Sequence, residues 1–574
     1  MKTQFMKNFY FIGLFLLSMY GYAQNFNQYK RTWATYNGLS TSEPSYLDNE
    51  RNGILELISS ISIGSTHDLN AYNLLRTDST STRITRPGVY YNYAHYNHAG
   101  QRVKYGYIDL NLFKKLPFNN NYFVVKQASD TPFLIGEFDE NYQYNVIDSL
   151  YALNNHSDYY ILDSGNINVP SYKIDENFNV YMTKEAYGEI PFEGNLNSFN
   201  NVFNSANTFN TSLVKINQHG ELIWKIYLDK YEIHDYVLHE GNIYILARDP
   251  SENSSLTGLV NEASFQSNPS NVVLLRVNQE DGSLVQGTYF GNDNIQTITN
   301  KLRVYGDHVY LLLDINSGFT DNRFITSNAY QTSLPSDSKA LYLAKCDLNF
   351  NILWGTYISG NSSVFNLGMD IIEFENEIYL SGTTNARQGL INTTYMEQSA
   401  PYGVLDTFVM KFDANGQLIY GSYFGGESFD NESRILPVAS DKFYLYGSTR
   451  SKKGLATNNA AQKEFPIYVN EYTLEAMYVA FFSPVSSLNT NDILDSQIKV
   501  YPNPTFNKQI TIEGNLAQNS KIEIFNLIGQ KVYEQKVQPI NRQFIHAPQL
   551  SNGTYILKYV SLDGNTDSQK IIIK

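Results

Sequence analysis

Only one cysteine, Cys346, occurs in 574 residues, so an intrachain disulfide framework is excluded. Charge is also scarce, at 17% of the chain, and basic residues are the minority, 42 against 56 acidic. A net charge of −14 repels phosphate backbones, so no nucleic-acid partner is expected. Beyond residue 23 no apolar run approaches the roughly 20 residues of a spanning helix, so no transmembrane span is expected. Catalytic signatures are missing too: there is no G-x-S-x-G elbow, H-E-x-x-H helix, P-loop or paired cysteine motif.

Aromatic residues are abundant: 46 Tyr and 33 Phe bring the aromatic share to 14%. That composition excludes a disordered chain and suits a β-rich extracellular protein. A chain of 574 residues exceeds one ordinary core, so repeats or several domains are expected.

At the start, Lys2 and Lys7 precede an apolar run from Phe9 to Met19, with Gly21 and Ala23 at the cleavage positions. Residues 1–23 read as a secretory signal peptide. The run is too short to span a bilayer, and without a nearby cysteine a lipoprotein anchor is excluded.

The stretch from Asp406 to Arg450 reads as four short strands punctuated by Asn415-Gly416, Gly425-Gly426 and Asp441. Its third-to-fourth-strand hairpin recurs at 89–108, 132–147, 211–228, 272–290, 341–358 and 407–424. Seven second strands precede seven third strands, but the last third strand, 477–484, has no hairpin partner. The chain begins its repeats with an isolated fourth-type strand, TWATYNG (32–38). Pairing Trp33–Tyr36 with Met477–Phe482 would complete a seventh unit and remove free sheet edges. An all-β, seven-bladed β-propeller is therefore expected, closed by the N- and C-terminal strands of the repeat region. Tyr227, Tyr289, Tyr357 and Tyr423 recur at 62, 68 and 66 residues, longer than the roughly 40–50 of compact repeats. The excess lies in second-to-third-strand connections such as Asp249 to Asn271 and Asn385 to Leu405, which places long loops on one face, where binding usually resides.

The phrases GTYFG (287–291), GSYFGG (421–426), NAYQT (328–332) and DTFVMKFDANG (406–416) resemble the bacterial SBBP family of seven-bladed β-propeller repeats. That resemblance covers units five to seven and implies a fold, not an activity.

Residues 485–497 read as a linker rich in Ser, Asn and Asp, and 498–574 as a compact β module. Pro502 and Pro504 are expected to hold its opening extended. Residues 521–537 predict two strands turning near Gly529-Gln530, and 552–574 a final hairpin. Tyr501-Pro502-Asn503-Pro504, Phe525-Asn526 with Gly529-Gln530, the LSNGTYILKY phrase and Lys570–Lys574 resemble the type A sorting domain of type IX secretion substrates. The resemblance implies a small C-terminal β-sandwich and passage across the outer membrane through the type IX secretion machinery. The module carries nine basic and five acidic residues, and the stretch between signal and module 31 and 51. Charge therefore changes sign between them.

No catalytic, cofactor-binding or metal-ligating residue is assigned, and no cofactor is expected. His95 and His98 have a metal-ligand spacing, but His95 aligns with Lys411, an outward polar slot, and His98 with a turn. His234 and His239 flank a first strand. Cys346 aligns with Phe412, Ile216 and Val277, so a buried structural thiol is expected. Asn97, Asp139, Asn217, Asn278, Asp347 and Asp413 open the hairpin turns, where a short polar side chain bonds its own backbone. QHGELIW (218–224) and DANGQLIY (413–420) have the wrong spacing for a sialidase Asp-box.

The sequence thus reads as a signal peptide (1–23), a propeller (24–484), a linker (485–497) and a sorting domain (498–574). The destination is the medium or the outer cell surface, reached through the periplasm. The leading role is a non-catalytic binding or adhesion module taking a glycan or protein on its long-loop face. An extracellular polysaccharide-acting enzyme is the alternative, with carboxylates from separate blades meeting in a central channel. A surface-layer spacer is the third.

Overall fold

The computed structural model describes residues 29–40, 49–51, 54–63, 88–97, 99–108, 113–116, 119–125, 133–138, 144–150, 173–187, 209–229, 231–249, 260, 264–292, 294–295, 300–321, 323–335, 339–360, 366–392, 396–458, 460–461, 463, 465, 475–484, 498–514, 520–526, 530–537, 542–560 and 566–574. The expected signal peptide, the linker, His98, Asp139 and Gly529 lie outside them. The chain divides into two compact units, Met1–Val485 and Ser486–Lys574.

Every regular element among the described residues is a β-strand. The first unit holds seven four-stranded antiparallel sheets. Six take their strands consecutively. The first contains Asn49–Arg51, Ile54–Ile63, Gly88–Asn97 and Arg102–Ile108, and the second Phe113–Leu116, Asn119–Val125, Phe133–Phe138 and Tyr144–Leu150. The third contains Lys173–Ile174, Val180–Tyr187, Phe209–Ile216 and Leu222–Asp229, and the fourth Glu232–His239, Asn242–Arg248, Val272–Asn278 and Leu284–Tyr289. The fifth contains Lys301–Tyr305, His308–Asn316, Lys339–Asp347 and Ile352–Ile358, and the sixth Asn366–Phe374, Glu377–Thr384, Asp406–Phe412 and Leu418–Phe424.

The seventh sheet joins the ends of the repeat region. Asp430–Ala439, Lys442–Thr449 and Glu475–Pro484 are completed by Tyr29–Ser40, with Trp33 opposite Phe481 and Tyr36 opposite Tyr478. Tyr29–Ser40 also takes the loop contacts that fourth strands take elsewhere. The Tyr36 hydroxyl donates to the Ser451 carbonyl, as that of Tyr357 donates to the Phe319 carbonyl in the fifth sheet.

Third strands such as Asp406–Phe412 are buried along their whole length. Alternation of apolar and polar residues fails there because both faces of the sheet are covered. Hydrophobic clusters lie between successive sheets. One joins the fourth and fifth through Tyr244, Leu274, Leu311 and Tyr342, and another the sixth and seventh through Tyr379, Val409, Phe443 and Phe482. Phe443 and Phe482 stack with centroids 4.9 Å apart. Burying each such ring contributes about 1.5–3 kcal/mol.

Neighbouring sheets are also laced by polar contacts. Trp224 Nε1 donates to the Gln279 carbonyl in the next sheet's turn (3.2 Å), and Trp354 Nε1 to the Ala414 carbonyl (2.9 Å). Gly416, at φ +80°, lies over Trp354, and a Cβ there would meet the indole at 2.7 Å.

The second unit holds a three-stranded sheet, in the order Ile498–Tyr501, Gln509–Gly514, Arg542–His546. It also holds a four-stranded one, in the order Lys531–Lys536, Lys521–Phe525, Gly553–Val560, Thr566–Ile573. One apolar cluster draws on both sheets, including Ile512, Ile545, Ile524, Leu557 and Ile571. Both X-Pro bonds at Pro502 and Pro504 are cis, and the chain bends at 502–504 instead of running extended. The bend brings Asn503 against the final strand. Its Nδ2 donates to the Lys570 carbonyl (2.6 Å), and its Oδ1 accepts the Ile572 N–H (2.9 Å). Thr505 N–H adds a bond to the Ile572 carbonyl (2.9 Å). The YPNPT and KIIIK phrases, some 65 residues apart in sequence, are thus one hydrogen-bonded assembly.

Candidate functional site

The first strands supply the charged groups. In Lys301–Tyr305, Leu302 and Val304 are buried while Lys301, Arg303 and Tyr305 share the other face, as a period of two requires. On Glu232–His239 a register shift between Ile233 and Asp235 re-aims the chain. The Asp235 carboxylate accepts from Arg303 Nη1 (2.7 Å) and the Leu302 N–H (3.1 Å). A similar shift between Gly368 and Asp370 sets Asp370 on the sixth sheet's first strand, its Oδ1 accepting the Ile371 N–H at 3.0 Å.

These charges act on one another across sheets that are not sequential neighbours. Lys301, on the fifth sheet, is acted on by Asp235, Arg434, Arg303 and Asp370, from the fourth to the seventh. Lys173, on the third, is acted on by Asp235, Arg303 and Lys301. The first strands of the fourth to seventh sheets, Glu232–His239, Lys301–Tyr305, Asn366–Phe374 and Asp430–Ala439, each contact the next. Burial, with the neighbouring cations, pushes the Lys301 and Lys173 ammonium groups below their usual pKa. Burial opposes the Asp235 charge, but Arg303, Lys173 and Lys301 outweigh it and hold that carboxyl below the usual range. Burial also opposes the Arg303 charge, which Asp235 and Asp370 hold in place. Among the described residues, Lys173, Lys301, Arg303 and Arg434 thus act with Asp235 and Asp370 in one electrostatic group.

His234 and His239 belong to this first strand and do not merely flank it. Burial and then Arg248 push His234 down to about 4, so its imidazole is neutral at pH 7. Its Nε2 has no hydrogen-bond partner among the described residues. His239 Nε2 instead meets the Gly306 carbonyl at 2.8 Å.

A second polar cluster sits where the sixth and seventh sheets receive their loops. Asp430 Oδ2 accepts the Gly426 N–H (2.7 Å) and the Ser451 hydroxyl (2.8 Å), and its Oδ1 accepts the Thr449 hydroxyl. Burial, despite these donors, pushes the Asp430 carboxyl up to about 7, and nearby Asp406 adds to the rise. Asp406 is bound in turn by Gln398 Nε2 (3.0 Å) and the Gly403 N–H (3.1 Å). A Cβ on Gly425 would come within 2.2 Å of the Asp406 carboxyl carbon. Both carboxyls are fully buried and hold loops, so the cluster is architectural.

Gln398 shows how a long loop is fixed. Its N–H donates to the Ser422 hydroxyl (3.1 Å), its carbonyl accepts the Tyr423 N–H (3.1 Å) and its Oε1 accepts the Gly425 N–H (3.1 Å). Gln331 repeats the arrangement on Thr356, Tyr357 and Ser359, and Gln266 on Thr288, Tyr289 and Gly291. These loops cap the edges of the outer strands. The phrases SFQS (264–267), AYQT (329–332) and MEQS (396–399) carried the signal.

Cys346 is fully buried in the cluster between the fourth and fifth sheets, and burial pushes its thiol up. The turn residues also lie as expected. Asp413 Oδ1 accepts the Asn415 and Gln417 N–H groups (2.9 and 2.8 Å), and Asn97, Asn217 and Asp347 make the same pair of bonds. The outward slot assigned to Lys411 is a correction. Its side chain is wholly buried, paired with Glu377 at 2.7 Å and bonded to the Ser440 carbonyl of the next sheet. The buried face between sheets admits a lysine because its head reaches these oxygens.

The Secretion system C-terminal sorting domain family matches residues 499–574. The chain is therefore a substrate of type IX secretion, exported to the cell surface or the extracellular space. Over 87 residues it is 37% identical to ulvan lyase NLR42 of Nonlabens ulvanivorans, a match covering 14% of this chain and 16% of that protein. The chain thus spans about a sixth of that relative's length, too little to include the seven sheets. A Synechocystis apocarotenoid oxygenase mutant is similar at 11% identity, over 72% of this chain and 87% of that one, with a TM-score of 0.30. A subtype N10 neuraminidase-like protein of a little yellow-shouldered bat virus follows at 7% identity, over 66% and 96%, with a TM-score of 0.29. Neither score carries an argument about fold or activity.

Proposed function

We propose that residues 24–484 form a seven-bladed β-propeller of the SBBP type that serves outside the cell as a non-catalytic binding module. Residues 1–23 act as its signal peptide, 485–497 as a linker, and 498–574 as a β-sandwich read by the type IX machinery. The pairing of Tyr29–Ser40 with Glu475–Pro484 and the contacts between the first strands of the fourth to seventh sheets support a closed ring.

The observation that carries the binding reading is the state of the converging charges. A carboxylate pair for glycoside hydrolysis needs one member protonated and one ionised. Here Asp235 is locked to Arg303 at 2.7 Å. Asp430, the carboxyl that does hold a proton near neutrality, is enclosed by its own loop donors. The geometry therefore suits holding a ligand more than cleaving one, with the long-loop side of the sheets as the proposed contact surface. One observation favours a polysaccharide-acting enzyme instead, the short likeness to a protein named as an ulvan lyase.

The purified protein is to be incubated with neutral, uronate-bearing and sulfated polysaccharides. Retention on a polysaccharide whose chain length stays constant supports the module. Progressive shortening of any of them would establish the enzyme.

A further inference from the structure

We propose that the outer face of the sorting module's three-stranded sheet, anchored by Phe544, is the surface that the type IX machinery grips during export. This goes beyond the binding-module reading and is independent of what the first unit binds.

Register sets the face. Tyr501 pairs with Thr511 and Thr511 with Phe544, so the three share one side of the sheet. Lys499, Glu513 and Arg542 make the adjoining row, while Ile510, Ile512 and Ile545 point the other way, into the module's core. Glu513 accepts from Arg542 Nη2 (3.0 Å) and from the Tyr501 hydroxyl, and the Arg542 guanidinium lies over the Tyr501 ring at 5.9 Å. These contacts fix one aromatic wall. Phe544 forms the other and is 70% exposed, while Thr511 between them is only 7% exposed. The result is a shallow groove with an aromatic ring on each side and a small polar floor.

The module's two sheets are dressed differently. On the outside of the four-stranded sheet, Lys531 pairs with Glu523 (3.1 Å) and Glu534, and Lys521 with Glu534 (3.6 Å). That lattice of mixed charge is a solvated surface. The three-stranded sheet instead presents Tyr, Phe and Arg, the types enriched where proteins meet, and an exposed apolar patch rimmed by polar groups marks such a contact.

The occupant follows from the module's task. Residues 499–574 are the sorting domain, so the protein that holds this surface belongs to the export machinery. The face also adjoins the bend at Asn503, which ties the final strand at Lys570 and Ile572. With nine basic residues against five acidic over 498–574, the module suits a partner with an apolar pocket for Phe544 and carboxylates at its rim.

The test is export of the full-length chain in its host, read as the share outside the cell against the share in the periplasm. Phe544→Ser should slow export about tenfold, the effect of losing a hot-spot aromatic. The purified variant should keep the parent's melting temperature, because the ring is exposed. Phe544→Tyr should restore export, and Arg542→Glu should impair it by opposing an acidic rim. Lys531→Gln, on the ionic face, should leave export unchanged. Export of Phe544→Ser at the parent's rate overturns the proposal, as does an equal defect in Lys531→Gln. A lowered melting temperature in Phe544→Ser passes the decision to Arg542→Glu, whose parental export would overturn it. Sedimentation of the purified chains separates the machinery from a second copy: a parent dimer that Phe544→Ser dissolves would make the face a self-interface and overturn the assignment. A chain lacking 498–574 should stay in the periplasm, and its export would show that no face of the module is read.

Discussion

Asp430 and His234 pull the stability of the first unit in opposite directions with pH. The Asp430 carboxyl is raised from 3.8 to about 7 in the fold. Between those values the folded chain keeps a proton that the unfolded chain has lost, so stability falls as pH rises and is flat above about 7. His234 is lowered from 6.5 to about 4. The unfolded chain gains that proton first, so stability is lost as pH falls from 6.5 toward 4. The two slopes oppose each other in the intact protein, and single substitutions separate them. Relative to it, Asp430→Asn should gain stability on going from pH 5 to pH 8, and His234→Gln should gain on going from pH 7 to pH 5. Thermal melts across that range give the measurement, and profiles parallel to the parent would refute the buried-charge account. Turn residues such as Asp413 and the burial of Cys346 were legible in the sequence, because their signals are local or repeat with the unit. The Asp235–Arg303 pair was not, since it joins the first strands of two sheets through side chains that share no motif.

At the scale of the element, the hairpins and the closing strand were legible because turn chemistry and strand counting are properties of the chain alone. The way the long loops are anchored was not legible. Their glutamines lie along the outer strands and satisfy backbone groups that an uncovered edge would leave to water. Gln398 joins Ser422, Tyr423, Gly425 and Asp406. Gln398→Ala should therefore destabilise the first unit by about 2–3 kcal/mol, by stranding the Gly425 N–H and removing one donor from the buried Asp406. Urea unfolding would read this loss. A change under half a kcal/mol, roughly that of an ordinary surface substitution, would show that the loop contributes little. Lys411 was misread for a related reason. Alternation along a strand marks which residues share a face, and cannot show that a neighbouring sheet covers it.

At the scale of the molecule, the chain joins a body of seven sheets to a module with a different charge and its own core. The final strand of that module is held by Asn503 and Thr505. Removal of 498–574 should therefore leave the protein in the periplasm of its host, while a fragment spanning 24–486 should melt cooperatively on its own. A truncated chain found in the medium would contradict the first expectation, and a fragment without a cooperative melt the second. The central claim is closure of the body through its two ends, and the hydroxyls of Thr32 and Ser483 test it. They hydrogen-bond at 2.7 Å across the closing strands, so sulfurs in their places can come into bonding reach. The natural thiol, Cys346, is buried and should not compete. Mild oxidation of the T32C/S483C double variant should yield a monomer whose non-reducing digest contains those two peptides joined. Two thiols that remain open to alkylation after oxidation, or that link only separate chains, would show that the ring does not close there.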